Sequence, residues 1–187
     1  MHHIVTGALM GDGSLEGRER TKLRIETTTR EFALWLHEQF DMAAGSLRRF
    51  PQDGPNQDVY RVSTIAHPEF NPYRDWYRDG EKRIPDPVQL RPASARVFVA
   101  CDSSLSFGGN DHPRLTFSAV DDGYREDLVR TLSRLEIGTT PRVGSRRVSI
   151  DVPDVPRLLE WIGDPVPGVE HKWATSQSDY DRLRDRQ

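Results

Sequence analysis

Apolar residues recur along this chain at two spacings, and the switching between them predicts the order of its elements. Residues 3–11 are apolar or small at nearly every position and predict a helix, with Gly7 and Gly11 on one face. From 14 to 27 the pattern becomes strand-like, with Leu23 and Ile25 facing one side and Lys22, Arg24 and Glu26 the other. Residues 29–42 return to helical spacing through Phe32, Trp35, Leu36 and Phe40. Strands are expected at 48–50 and 58–65, joined by the Pro-Gly-Asn-rich loop 51–57. A helix over 72–78 and a loop over 79–87 close this stretch. The order then recurs. A helix over 92–101 stops at Asp102, strands follow at 103–108 and 113–119, and a helix spans 122–135. Strands at 139–143 and 146–151 and a helix at 154–162 precede a Pro-rich tail.

The chain therefore reads as αββαββα twice, a repeat with a period of about half its length. The boundaries that follow are residues 1–90 for the first half and 91–187 for the second. No low-complexity linker separates them, so the halves are expected to pack as one compact unit. Each begins with an apolar helix that stops at an acid, Asp12 in one and Asp102 in the other. Two carboxylates at equivalent points of two similar halves are what a pseudo-symmetric active site requires.

Composition narrows the possibilities. With 35% hydrophobic and 29% charged residues, and no apolar run near the ~18 residues a bilayer span needs, the 187-residue chain reads as soluble, with no membrane partner and no secretory segment. A cytoplasmic place of work is expected, nucleoid-associated or organellar if it acts on DNA. The single Cys101 excludes an internal disulfide and any zinc site made of cysteine pairs. A net charge of −3 argues against a protein that merely coats nucleic acid. The distribution of charge matters more. Asp121, Asp122, Glu126 and Asp127 fall in a helical stretch, whereas Arg18, Arg20, Lys22, Arg24, Arg48, Arg49, Arg61, Arg114, Arg142, Arg146 and Arg147 lie in or beside strands. An acidic back and a basic sheet surface satisfy both facts. The 26 basic residues include only three lysines, Lys22, Lys82 and Lys172.

Six ordered blocks carry a family resemblance. Gly7-Ala8-Leu9-Met10-Gly11-Asp12-Gly13-Ser14-Leu15 and Val97-Phe98-Val99-Ala100-Cys101-Asp102 resemble the two motif copies of single-chain, intron-encoded LAGLIDADG homing endonucleases. His67-Pro68-Glu69-Phe70-Asn71 and Lys82-Arg83-Ile84-Pro85 resemble the blocks that lead into the second motif. Leu115-Thr116-Phe117-Ser118 is similar to the strand after it, and Val166-Pro167-Gly168-Val169-Glu170-His171-Lys172 to the closing block. The resemblance implies an α/β (α+β) saddle with pseudo-twofold symmetry, whose antiparallel sheets form a DNA-binding groove. It implies a monomer that makes Mg²⁺-dependent double-strand breaks at a long target, leaves 3′ overhangs and serves intron homing, with Mn²⁺ or Ca²⁺ able to substitute in binding.

The residue types suit that chemistry. Helices that cross closely need small residues at the contact, and Gly7 and Gly11 supply them. Carboxylate oxygens are the ligands Mg²⁺ prefers, so Asp12 and Asp102 are the expected metal ligands. Gly11 and Cys101, beside them, join the metal set by position in the motif. Lys82 and Lys172 would organise water, as lysines at the matching positions do in the family. A major groove admits a two-stranded ribbon. The expected readers are Lys22, Arg24 and Glu26, then Arg61 and Ser63, then Arg114, Thr116 and Ser118, then Arg147 and Ser149. Arg18, Arg20, Arg48 and Arg49 are expected in loops, mainly on phosphate, and Arg146 joins the DNA-binding set.

The second motif departs from the pattern, with Ser103 where a glycine is usual, Cys101 before the acid and Arg96 within the helix. These departures keep open a catalytically inactive DNA-binding protein, and the resemblance itself keeps open an RNA-binding maturase that acts on intron RNA, since the same family supplies such splicing factors. His67 reads as a loop residue, His171 as a neighbour of Lys172, and Cys101 as a small buried residue at the helix crossing. The four tryptophans read as packing.

Overall fold

The computed structural model describes residues 1–17, 20–52 and 57–185. Two helices, α1 (His2–Met10) and α3 (Pro92–Asp102), lie at its centre. Both are apolar on nearly every side, so each must be covered all round. Ile4, Val5, Ala8, Leu9 and Met10 are buried in α1, and Ala95, Val97, Phe98, Val99 and Ala100 in α3. They cross where Gly7 and Gly11 lie. A Cβ on Gly7 would stand 2.1 Å from the carbonyl oxygen of Ser94, and one on Gly11 would stand 2.6 Å from Cβ of Cys101. Only hydrogen fits at either point.

Each central helix leads into a four-stranded antiparallel sheet. In the first, β1 (Ser14–Glu16), β2 (Lys22–Thr27), β4 (Val59–Thr64) and β3 (Ala44–Phe50) lie in that order. In the second, β7 (Ser103–Gly108), β8 (His112–Ser118), β10 (Arg147–Ile150) and β9 (Arg142–Val143) repeat it. The same strand order in both sheets gives the expected pseudo-twofold relation. Alternation sorts the side chains. Leu23, Ile25 and Val62 are buried on one face with Phe32, Ala33 and Leu36 of α2 (Arg30–Gln39). Leu115, Phe117, Val148 and Ile150 do the same with α4 (Asp122–Ser133) and α5 (Asp154–Ile162). Phe98 stacks on Phe117 at 4.4 Å between centroids, coupling α3 to the second sheet. The opposite sheet faces stay polar.

The halves end differently. Where a helix was expected over 72–78, Pro68–Trp76 forms 3-10 turns; Pro68 sits at the first position, where proline is tolerated, but Pro72 lies inside the segment and lacks the N–H that an α-helix running through it needs. A hairpin of β5 (Tyr77–Arg78) and β6 (Glu81–Lys82), closed by Asp79 and Gly80, both at positive φ, takes the end of the expected helix and the start of the expected loop over 79–87. The seventh element of the first half is thus not a helix. The tail also departs from expectation, adding 3-10 turns at Glu170–Trp173 and α6 (Gln177–Arg184), which Ser176 caps. Helix 29–42 is shorter than expected, and β3 starts at Ala44 rather than 48. Strand 139–143 shrinks to two residues.

Arg96, the odd residue of α3, has a place. Its guanidinium lies 5.6 Å from the Trp35 ring and donates to the carbonyl of Pro165 at 3.0 Å, so it ties α3 to elements on both sides. Trp76 and Trp173 are buried, and Trp173 donates from its indole nitrogen to the Gly163 carbonyl at 2.9 Å. His67 caps the turn at Pro68, accepting from the backbone N–H of Glu69.

Candidate active site and nucleic-acid interface

The two acids emerge together where α1 and α3 cross. α1 stops at Met10, two residues before Asp12, whereas α3 runs through Asp102 itself. Both carboxyls are pushed up. Burial raises Asp12, with the charges of Lys82 and Lys172 pulling it back. Burial and then the Asp12 charge raise Asp102 to about 7. Oδ2 of Asp102 is buried without a hydrogen-bond partner among the described residues.

Both candidate lysines reach this point from distant sequence. Lys82, at the end of the β5–β6 hairpin, donates to the carbonyls of Gly11 at 2.7 Å and Gly13 at 2.9 Å, which flank Asp12. Lys172, in the turns at Glu170–Trp173, donates to the carbonyl of Ala100 at 2.7 Å, two residues before Asp102. Each lysine therefore grips the end of its own half's helix. Burial lowers both ammonium groups, against the pull of the two acids. Lys82 is held by its neighbour: Arg83 donates to Asp127 at 2.7 Å, and the backbone N–H of Ile84 donates to the same carboxylate at 3.1 Å. Burial acts to raise Asp127, but Arg83, Arg130 and that N–H outweigh it and hold the carboxyl low.

Two open cavities flank the crossing. One, of about 400 Å³, is lined by Asp12, Thr27, Phe32, Cys101, His171 and Lys172. The other, of about 280 Å³, is lined by Asp102, Lys82, Glu81, Ser118, Asp121 and Tyr124. Each acid thus opens into a cavity shared with the lysine of the opposite half, although its charge couples more strongly to the lysine of its own. The four groups act as one cluster with two mouths.

Gly11 and Cys101, expected in the metal set, lie beside the acids at the crossing. The Gly11 carbonyl accepts from Lys82. Burial pushes the Cys101 thiol up to about 12, so its sulfur stays protonated and suits a hard cation poorly. Among the described residues no group of three or more His, Cys, Asp or Glu side chains converges. An ion at this site would rest on the two aspartates and complete its shell with water and phosphate oxygens. The orphaned Asp102 oxygen and the two raised carboxyls fit a cation, whose charge would offset the burial and repulsion that raise them.

Tyr124, which the sequence reading passed over, belongs here. It is buried, its hydroxyl donates to the carbonyl of Met10 at the end of α1, and burial followed by the charges of Asp102 and Asp12 holds it well above the usual phenol range. Its position three residues past the α4 cap matches Phe32, three past the α2 cap. The signal was that parallel position in the two repeats.

The polar sheet faces gather most of the expected readers. Arg24 pairs in register with Ser63, Glu26 with Arg61, and Arg48 with Arg61. Arg147 pairs with Ser118, and Thr116 with Ser149. Ser63, one of the expected readers, is only 6% exposed, which disfavours a base contact. Arg48 and Arg49 lie in β3, in keeping with the strand expected at 48–50 and not with a loop position, and by alternation they face opposite sides of it. Arg49 is 2.5 Å from Asp58. Arg146 is in the exposed turn before β10 and its carbonyl accepts from Ala119. Arg20 is exposed before β2, and Arg18 lies outside the described residues.

Sequence reasoning missed the carboxylates among these cations. Glu16 accepts from Arg24 and lies 3.0 Å from Lys22, and hydrogen bonding from Lys22, with Arg24 beside it, holds its carboxyl low. Asp151 pairs with Arg114 and with Arg142, the latter absent from the expected readers.

The comparisons agree with this geometry. The sequence has no match among curated proteins. In structure it is similar to the N-terminal LAGLIDADG domain of DUF199/WhiA, with a TM-score of 0.55 and 13% identity over 86% of this chain and 79% of that one. It is similar to the I-LtrWI LAGLIDADG homing endonuclease bound to target DNA, with a TM-score of 0.52 and 7% identity over 98% and 87%. It is also similar to I-SmaMI bound to uncleaved DNA target in the presence of calcium ions, with a TM-score of 0.50 and 11% identity over 98% and 96%. At such identities the likeness shows the saddle fold alone. The model of the LAGLIDADG DNA endonuclease family matches residues 2–133, so the chain belongs to that family.

Proposed function

We propose that this protein cuts both strands of a double-stranded DNA target at a specific site, using a divalent cation, Mg²⁺ in the cell, and leaves 3′ overhangs. The observation that carries the reading is the convergence of Asp12, Asp102, Lys82 and Lys172 on one helix crossing with two open mouths. One mouth per strand is what a double-strand break needs. Asp12 and Asp102 would hold the cation, which when bound supplies Lewis acidity and makes water a stronger nucleophile. Lys82 and Lys172, whose ammonium groups are pushed down by burial, orient water in each cavity. The polar sheet faces carry the duplex, with the fold's own relatives I-LtrWI and I-SmaMI bound to DNA in support. Both acid-bearing helices belong to one chain, which supports action as a monomer. The altered second motif does not remove its acid from the site, which favours an active nuclease over an inactive DNA-binding protein or a maturase.

The test is cleavage of a randomised duplex library with Mg²⁺, alongside Asp12→Asn and Asp102→Asn. Site-specific double-strand breaks that both variants abolish are the expected result. DNA or RNA retained without cleavage by any form would overturn it in favour of regulator or maturase.

A further inference from the structure

The second sheet holds an arrangement that the cleavage chemistry does not use. Asp151 directly follows β10, the strand between β8 and β9, and its side chain is only 15% exposed. Each of its oxygens is engaged by a different arginine. Oδ1 accepts from Nε of Arg114, on β8, at 2.5 Å, and Oδ2 lies 2.8 Å from Nε of Arg142, on β9. Both contacts use the inner nitrogen of the guanidinium. The outer nitrogens have no hydrogen-bond partner among the described residues, and the two side chains are 57% and 72% exposed, bordering an open cavity of about 390 Å³.

We infer that Arg114 and Arg142, held as a pair by Asp151, form a subsite for two neighbouring guanines in the major groove of the bound duplex; this rests on the endonuclease reading above. Guanine presents N7 and O6 side by side on its major-groove edge, and the outer edge of a guanidinium meets both at once. A carboxylate on Nε leaves that edge forward and holds the side chain in place before DNA arrives, which lowers the ordering cost of binding. The pair is suited to adjacent bases because one carboxylate gathers both heads, and successive bases of a strand are ~3.4 Å apart. Asp151 also decides between base and phosphate. Its negative charge opposes an anion seated between the arginines but not the neutral edge of a base.

The first sheet offers no equivalent. Arg24 spends an outer nitrogen on Glu16, and Arg61 contacts Glu26 through both Nε and an outer nitrogen while lying over the Phe50 ring. Among the described residues, the Asp151 pair alone combines two cations on one carboxylate with both outer edges uncommitted.

The test is selection of bound sequences from a randomised duplex library in Ca²⁺, using the full chain, Arg142→Ala, Arg142→Lys and Asp151→Asn. Wild type is expected to select adjacent guanines in one outer half-site. Arg142→Ala and Arg142→Lys should each weaken one guanine preference roughly tenfold, since lysine keeps the charge but not the fork. Asp151→Asn should weaken both preferences, and thermal melting checks that it folds; the exposed Arg142 variants keep the test independent of that. The inference is overturned if the arginine variants weaken all sequences alike with a shallower salt dependence, the mark of a phosphate contact. It is also overturned if Arg142→Lys selects as wild type does. A wild type that selects a target without adjacent guanines overturns the subsite alone, whereas one that selects nothing overturns the endonuclease reading with it.

Discussion

The two halves share strand order and an acid at the end of a buried helix, yet their cavities are not copies. On the Asp12 side the wall is Phe32; on the Asp102 side it is Tyr124, whose hydroxyl crosses to the carbonyl of Met10. Lys82 grips two carbonyls around Asp12, while Lys172 grips one before Asp102. The close approach is likewise one-sided, with glycines on α1 facing Ser94, Val97 and Cys101 on α3. Pseudo-symmetry fixes where the groups converge. The unequal surroundings set how each behaves, because burial and neighbouring charge act on each acid separately.

The largest break in that comparison should come from the lysines. Lys82→Met and Lys172→Met are each expected to slow cleavage by about 10²-fold or more, and unequally on the two strands, so that nicked duplex accumulates. Duplexes labelled on one strand at a time measure this; equal slowing of both strands would show one shared centre instead. Next is the crossing. Gly7→Ala forces a Cβ onto a backbone oxygen and should cost about 3 kcal/mol, whereas Val97→Ala, across the same contact, should cost about 2 kcal/mol by loss of packing. Denaturant unfolding compares the two.

A third contrast is in pH. The folded Asp102 carboxyl titrates near 7, above its ordinary 3.8, so folding is favoured with the proton on. That contribution is complete below about pH 4 and is lost as pH rises through about 7. Asp102→Asn should therefore raise the melting temperature of the metal-free protein by several degrees at pH 8 and little at pH 4. Asp12 is raised as well, and Asp12→Asn should follow the same direction. Mg²⁺ at pH 8 should raise the melting temperature of wild type more than that of either variant, which calorimetry can follow. The smallest effect concerns the cavity walls. Tyr124→Phe leaves the Met10 carbonyl without its donor and should cost about 1–2 kcal/mol in unfolding measurements, a loss Phe32 has no hydroxyl to mirror.

Much of this was legible before the fold was known. Glycines at one helix face, acids at two helix ends and the alternation of Leu23, Ile25, Leu115 and Phe117 are local patterns, and they predict the central helices and most strands; the place of the two lysine blocks follows only from the family resemblance. The hairpin at Asp79-Gly80 has its own local signal, an Asp-Gly pair suited to positive φ, but strands of two residues each leave no alternation to detect. The expected helix at 72–78 gives way to 3-10 turns over Pro68–Trp76 for a local reason too, since Pro72 inside that segment has no N–H to donate.

What the sequence by itself determined is the repeat, the elements that carry it and the two acids at the ends of its central helices, because periodicity and backbone chemistry act over a few residues; the two lysines were marked by resemblance to a family. What only the tertiary structure decided is who meets whom. Asp151 gathering Arg114 and Arg142, Tyr124 reaching Met10, the burial of Ser63 and Asp102 rising to about 7 all depend on contacts between residues far apart in the chain. Hydrogen bonding, burial and charge act through space, and no spacing along the chain encodes them.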